Sequence, residues 1–81
     1  MKNILIITLI LFTNIHASVL SSMQKACEKQ IGDACYQFAR LHEQGSGVKK
    51  DNKKAKAYYL KACQYGHDRA CKSFDLIKIK N

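Results

Sequence analysis

Four cysteines are the residues of this 81-residue chain whose type and spacing point most directly to chemistry. Cys27 and Cys35 are eight positions apart, as are Cys63 and Cys71, and the second pair follows the first at an offset of 36. Thiols form disulfides, bind metal ions or exchange electrons. The chain has no Cys-x-x-Cys redox motif, and an even number of cysteines favours a disulfide framework if the protein is exported.

The N-terminus predicts export. Lys2 precedes a nine-residue apolar block at 4–12, and a polar stretch then leads to the small residue Ala17. This order is typical of a secretory signal peptide, which we assign to residues 1–17 with cleavage after Ala17. Nine residues are too few to cross a bilayer as a helix, since about 20 are needed. We therefore expect a secreted or periplasmic protein, with residues 18–81 as its one domain and no stable membrane insertion.

The size and charge of the exported part exclude several classes of protein. The net charge of +8 falls to +7 when Lys2 is removed with the signal. Sixty-four residues exclude a multidomain enzyme and any fold with a large sheet, and their core supplies only a few kcal/mol of net stability. Five lysines within 49–56 form either a solvated basic surface or one that attracts an anionic envelope polymer, lipid headgroups or an acidic partner. An exported chain without an aromatic-basic motif is not expected to bind nucleic acid.

An internal repeat underlies the cysteine spacing. The tripeptide Lys-Ala-Cys occurs at 25–27 and again at 61–63, and Phe38 and Phe74 match at the same offset of 36. We interpret the two segments as copies of one unit. Apolar residues recur every three or four positions between the cysteine pairs, which is the period of an amphipathic helix.

Helix signals divide the exported chain into four segments. The chain has no proline, and the Gly-Ser-Gly of 45–47 marks a break between helices. Asp33 and Asp68 are predicted N-caps, and Gly32 and Gly66 are predicted to end the helices before them. Short connections make neighbouring helices antiparallel, so the pattern predicts an all-α fold of helical hairpins. The predicted helices lie at 19–30, 33–43, 52–65 and 68–78.

Four cysteines allow three pairings, of which the repeat favours Cys27–Cys35 and Cys63–Cys71 because each pair flanks a glycine turn between consecutive helices. Each bond closes a nine-residue loop and would stabilise the fold by roughly 2.5 kcal/mol in the chain-entropy model. The competing interpretation is a zinc site, since Cys63, His67 and Cys71 follow at i, i+4 and i+8. Gly66 breaks the helix that this spacing requires, and the first pair has no matching histidine. We therefore expect no metal and no cofactor.

Residues 31–66 resemble one full unit of the Sel-like repeat, a relative of the tetratricopeptide hairpin. The resemblance is carried by the pattern Gly-x-Gly-Val-x-x-Asp-x-x-Lys-Ala-x-x-Tyr-Tyr-x-Lys-Ala-Cys at 45–63. The cysteine spacing looks like that of the Helicobacter cysteine-rich protein subfamily. The resemblance implies a tetratricopeptide-like α/α solenoid fragment in which half units flank the full one. Ala39 and His42 depart from it, because the family usually has Gly and Tyr there.

The resemblance implies two functions. Sel-like repeat arrays mainly bind a protein or peptide partner on a concave surface, whereas members of the cysteine-rich subfamily are associated with penicillin binding and β-lactamase activity. Tyr58 and Tyr59 are candidate binding residues because each has a polar tip that can reach a partner, although core packing is the alternative. His42 is a third candidate, with a surface or capping role as its alternative.

The β-lactamase alternative can be compared with the residues. The Ser-x-x-Lys signature of serine β-lactamases occurs at Ser22–Lys25 and at Ser46–Lys49. The chain has neither the Ser-Asp-Asn nor the Lys-Thr-Gly element that accompanies it, and lysine is frequent enough for a chance match. We assign no catalytic residue. A β-lactam or cell-wall-related ligand remains the alternative to a protein or peptide partner.

Overall fold

The computed structural model describes residues 19–80, which fold entirely into helices and short connections. The predicted signal peptide of residues 1–17, with its cleavage after Ala17, lies outside the described residues. The first helix ends within two residues of its predicted bound, and the other three begin and end within two residues of theirs, so the all-α prediction is confirmed. The helices are α1 at 19–28, α2 at Gly32–Gln44, α3 at Asn52–Gln64 and α4 at Asp68–Lys80.

Helix α3 packs against α2 and against α4, and runs in the opposite direction to both. Gly32, the first residue of α2, lies against the last turn of α3, while the far end of α2 is joined to the start of α3 by the loop at 45–51. Cys63 at the end of α3 is bonded to Cys71 near the start of α4. Nζ of Lys56, early in α3, lies 6.0 Å from the ring centroid of Phe74, farther along α4. None of the helices in residues 19–80 has the length and apolarity needed to span a bilayer.

Small side chains let these helices approach closely. Four alanines are completely buried where the helices meet, and the large buried side chains fill the space between them. Burial of this apolar surface is the main force that holds the helices together, at about 25 cal/mol per Å². The buried alanines are Ala39, Ala55, Ala62 and Ala70, and the largest buried side chains besides cystine are Tyr59 and Ile77.

Two disulfides close the α1–α2 and α3–α4 turns. Cys27 is bonded to Cys35 with their Cα atoms 4.6 Å apart, and Cys63 is bonded to Cys71 with a Cα separation of 4.7 Å. Each bond joins the last turn of one helix to the first turn of the next. Among the described residues no cysteine is free.

The two disulfide-closed turns have the same backbone hydrogen bonds at the repeat offset. The N–H groups of residues 30 and 66 donate to the carbonyls of 27 and 63, and those of 31 and 67 donate to the carbonyls of 26 and 62. Each turn has a residue with positive φ, Gln30 at 68° and Gly66 at 90°. The two turns therefore have one backbone conformation although their sequences differ.

The predicted roles of Gly32 and Asp33 are wrong. Gly32 is the first residue of α2 and does not end α1, and the N-cap is Ile31, whose side chain makes no capping hydrogen bond. The left-handed conformation falls on Gln30, at a cost that glycine would avoid. Gly32 serves packing instead: a Cβ there would lie 3.3 Å from the carbonyl oxygens of Ala62 and Tyr65, so the missing side chain lets α2 start against the α3–α4 turn.

The predicted cap of α4 is wrong by one residue. Asp68 is the first residue of the helix, and His67 precedes it as the N-cap. The Ala70 N–H donates to Nδ1 of His67 over 3.1 Å. An imidazole nitrogen can accept this hydrogen bond as a carboxylate would, so His67 caps α4 in place of the predicted Asp68.

Candidate functional site

A cleft of about 380 Å³ opens between α1, α2, the loop at 45–51 and α3. We call it the aromatic cleft. Its volume lies in the range of sites that hold small ligands or single side chains of a partner. It is lined by Leu20, Ser21 and Gln24 of α1, Phe38 and His42 of α2, Val48 of the loop, and Lys54 and Tyr58 of α3.

Three rings form one side of the aromatic cleft. Phe38 lies edge-on to both Tyr58 and His42, with centroid distances of 4.7 Å in each case. The His42 and Tyr58 rings are nearly parallel with centroids 6.3 Å apart. Phe38 and His42 share one face of α2 because they are four residues apart, one helical turn. Phe38 and His42 are buried and Tyr58 is half-buried, so Tyr58 offers the most accessible ring surface to an apolar or aromatic group.

His42 is the unusual member of this group. Its side chain is only 7% exposed, and neither Nδ1 nor Nε2 has a hydrogen-bond partner among the described residues. A buried polar group without a partner costs free energy, so most such groups in folded proteins are paired. His42 therefore retains a donor and an acceptor that the fold itself does not use.

Two cations lie at the aromatic cleft. Lys54 contributes to its lining, and Nζ of Lys61 lies 5.0 Å from the centroid of the Tyr58 ring. Between residues 45 and 61 the chain has one acid, Asp51, against six lysines. Among the side chains that the structure describes, the one ion pair joins His67 and Asp33, so no lysine of this segment is paired with a carboxylate. The six are Lys49, Lys50, Lys53, Lys54, Lys56 and Lys61.

Asp51 makes hydrogen bonds with the backbone and does not line the cleft. Its Oδ1 accepts a 3.1 Å hydrogen bond from the Lys54 N–H as the N-cap of α3, and its own N–H donates to the His42 carbonyl. The bond from Lys54 holds the pKa of Asp51 below its ordinary value, an effect that partial desolvation opposes. Asp51 thus fixes the start of α3, from which Lys54 and Tyr58 project.

Tyr59 lies in the core and not in the cleft with Tyr58. It is 2% exposed, and its hydroxyl donates a 2.6 Å hydrogen bond to Oε1 of Glu43. Burial raises the pKa of Tyr59, and the bond to Glu43 raises it further. Of the three residues proposed from the sequence, the structure brings His42 and Tyr58 together at the cleft and places Tyr59 in the core.

His67 has a structural role. Its ring stacks on Tyr36 with centroids 4.4 Å apart, Nδ1 caps α4, and Nε2 lies 3.4 Å from Oδ1 of Asp33. The sulfurs of Cys63 and Cys71 are bonded to each other, so the three residues considered for zinc do not form a ligand set. In residues 19–80 no group of three or more His, Cys, Asp or Glu side chains is placed to hold a metal ion.

The two Ser-x-x-Lys segments lie on the surface. Ser22 and Lys25 are exposed on α1, and Ser46 and Lys49 are exposed in the loop after α2. None of the four lines the aromatic cleft. A serine nucleophile needs a base within hydrogen-bond reach and an enclosed oxyanion site, and neither segment lies in such a setting.

Sequence reasoning identified two residues of the cleft and missed most of the others. Leu20, Ser21 and Gln24 belong to a helix that was expected only to close a preceding unit. Phe38 was noted as a repeat position, and its spacing from His42 was the signal that both face the same side. Only the packing of α1 over α2 shows that these faces leave a gap.

Comparisons with models of protein families, with curated proteins and with solved structures found no match to this chain. The aromatic cleft and its surrounding charge therefore carry the functional argument.

Proposed function

We propose that the protein is an exported Sel-like repeat module, built of tetratricopeptide-like antiparallel hairpins, that binds a peptide segment of a protein partner in the aromatic cleft. The proposal joins three features: a helical scaffold, a preformed apolar cleft on one side of it, and an unused polar group within that cleft.

The equivalence of the two disulfide-closed turns supports the repeat. Their matching hydrogen bonds at an offset of 36 residues are what two copies of one helix–turn–helix unit would have. The antiparallel packing of α2 on α3 and of α3 on α4 is compatible with a short solenoid. Units of this kind use the surface between helices for binding, since that surface is rigid and needs little ordering when a ligand arrives.

The observation that carries the proposal is the buried, unpartnered imidazole of His42 within an aromatic cleft. A chain that needs only packing there would gain stability from an apolar side chain, because an unsatisfied buried group is destabilising. A ligand that supplies a hydrogen bond to His42 offsets this cost, and the nearby rings bind its apolar part. Both nitrogens are shielded from solvent, so a hydrogen bond to either one would form in a desolvated site.

β-Lactam hydrolysis has no comparable support in the arrangement of the side chains. Both Ser-x-x-Lys segments are exposed and lie outside the cleft lining. We expect turnover of a chromogenic cephalosporin by the oxidised protein to equal that of a reduced, unfolded control. Turnover above this control would favour the enzyme alternative over the binding module.

Selection from a displayed library of random nine-residue peptides tests the proposal. We expect peptides enriched on the oxidised protein to shift the NMR signals of Phe38, His42 and Tyr58, and to leave those of Tyr36 and His67 unchanged. His42→Leu should weaken the binding of these peptides about tenfold, since it removes one hydrogen bond from a desolvated site.

Tyr65→Leu is the matched control, because it removes an exposed aromatic side chain that does not line the cleft. It should leave peptide affinity unchanged. Failure to enrich any peptide over a charge-matched helical protein, or binding that shifts only signals outside the cleft, would contradict the proposed function.

A further inference from the structure

The charge around the aromatic cleft has one sign. Lys54, Tyr58 and Lys61 lie at i, i+4 and i+7 of α3 and therefore on one face of the helix. Lys54 lines the cleft, and Nζ of Lys61 lies 5.0 Å from the centroid of the Tyr58 ring. Two cations thus border the ring that a ligand would contact.

No carboxylate on the described residues faces these cations across the cleft. The side chains that α1 and α2 contribute to its lining are apolar, neutral polar or the imidazole of His42. Asp51 bonds the backbone of Lys54, and Glu43 accepts its bond from Tyr59 on the core side. The positive potential at the cleft is therefore not compensated by the described residues, and Lys54 in the first turn of α3 also opposes the helix dipole.

We infer that the segment bound in the aromatic cleft is acidic, with an apolar side chain that packs against Phe38 and Tyr58 and flanking carboxylates that pair with Lys54 and Lys61. The inference rests on the proposed function and specifies its ligand. The apolar side chain supplies most of the affinity, and the carboxylates select against neutral and basic segments and speed the encounter. His42 hydrogen-bonds the backbone or a polar group of the segment between these two contacts.

An anionic membrane surface is the competing source of negative charge. A lipid surface meets exposed lysines wherever they lie and does not enter a cleft, so it would depend on the number of lysines more than on their position. An acidic peptide depends on Lys54 and Lys61 in particular. The experiment therefore measures whether binding depends on the positions of particular lysines or on the total number of lysines.

Two synthetic libraries of nine-residue peptides provide the probe. Both contain Leu, Phe, Ser and Gly at random, and they differ only in that one also contains Asp and Glu where the other contains Asn and Gln. We expect the oxidised protein to retain the acidic library at low salt at least tenfold more than the amide library. Retained peptides should combine acidic residues with at least one Leu or Phe, and retention should fall as salt is added.

Variants then locate the charge. Lys54→Ala and Lys61→Ala should each weaken binding of a retained acidic peptide about threefold to fivefold, the upper part of the range for an exposed ion pair. The same variants should weaken binding much less when the Glu and Asp of that peptide are changed to Gln and Asn, and the difference in a double-mutant cycle is the contribution of the ion pair. Lys78→Ala is the control, because it removes an exposed lysine of α4 outside the cleft and should have no effect.

The outcomes separate this inference from the proposed function. Equal retention of both libraries, with NMR shifts at Phe38 and Tyr58, overturns the acidic ligand and leaves peptide binding in place. Retention of neither library overturns both. Binding to vesicles of phosphatidylglycerol and phosphatidylcholine that Lys78→Ala weakens as much as Lys54→Ala, in competition with the acidic peptides, would show a general cationic surface and overturn the inference.

Discussion

The two ends of the helical array differ in their disulfides and in how many of their polar side-chain atoms have a partner. The stapled end contains the α1–α2 and α3–α4 turns, both disulfides and His67, and it lies where α2 starts against the α3–α4 turn. The lysine end contains the loop at 45–51, the start of α3 and His42, and no disulfide crosses it. Each end has a histidine in contact with aromatic rings, but His67 has partners at both nitrogens and His42 has partners at neither.

Together with the proposed function, this difference implies that stability and binding are separated along the helices. A domain of this size has only a few kcal/mol of net stability, so an unsatisfied group is tolerated only where other interactions offset it. The covalent bonds and the capping histidine at the stapled end supply that stabilisation. The lysine end can then retain an open cleft, an unpaired imidazole and an excess of cations, features that make sense as binding groups and not as packing.

Loss of the disulfides should have the largest effect on stability, and the size of the loss should differ between the two bonds. Each closes a nine-residue loop, so each should contribute roughly 2.5 kcal/mol to the free energy of unfolding. Cys27 and Cys35 are buried, whereas Cys63 and Cys71 are partly exposed. Cys27→Ala with Cys35→Ala should therefore cost about 1 kcal/mol more than the other pair, because it also leaves a small cavity. Urea unfolding of the two double variants measures both values.

Accessibility gives an independent check on this ranking. A mild reductant should open Cys63–Cys71 before Cys27–Cys35, and mass mapping after thiol alkylation would identify the product. Reduction of the buried bond first, or a smaller loss of stability for the buried pair, would contradict the idea that burial distinguishes the two staples.

His67→Ala should have the next largest effect, a loss of about 1.5–2 kcal/mol. The change removes the N-cap of α4 and the stacked ring on Tyr36, which contribute about 1 kcal/mol and 0.5–1 kcal/mol. The contact with Asp33 adds little, since that carboxylate is largely exposed. Thermal unfolding checks the loss, and His67→Asn, which keeps a capping acceptor without the ring, should recover part of it. Unchanged stability in His67→Ala would remove the capping role.

His42→Leu should stabilise the protein, whereas the variants above should destabilise it. It replaces an unpartnered polar ring by an apolar side chain of similar volume, so we expect the free energy of unfolding to rise by about 1 kcal/mol. The same variant should bind peptides more weakly, as proposed above. A stability gain together with a binding loss identifies His42 as a binding group. A loss of stability would mean that the imidazole has a structural partner, and the contrast between the two ends would fail.

The helices and part of the aromatic cleft could be predicted from the sequence. Helical periodicity and the Gly-Ser-Gly break predicted all four helices, because local patterns dominate in a chain of short hairpins. The two equal cysteine spacings indicated which cysteines face one another. His42 and Tyr58 were candidates for binding, and the cleft brings them together.

The parts that sequence reasoning missed depend on contacts between distant segments. Gly32 looked like a helix terminator, yet it is needed where α2 meets the α3–α4 turn, and Gln30 takes the left-handed conformation instead. Tyr58 and Tyr59 are adjacent and chemically identical, so only the position of α2 decides that one lines the cleft and the other is buried. The pattern leaves His67 as a surface or a capping residue, and the capping bond that decides between them depends on a backbone N–H three residues ahead.

Asp51 provides the smallest and most specific test of the lysine end, where it does for α3 what His67 does for α4. The hydrogen bond from the Lys54 N–H favours the carboxylate, so the pKa of Asp51 is lower in the folded protein than in the unfolded chain. A group with a lowered folded pKa stabilises the fold above its unfolded pKa, and this contribution is lost as the pH falls through the folded value.

Asp51→Asn keeps a capping oxygen without the charge. The melting temperature of the wild type should exceed that of Asp51→Asn at neutral pH, and the difference should vanish in acid. A difference that persists below the folded pKa would show that the charge of Asp51 is not what stabilises the start of α3.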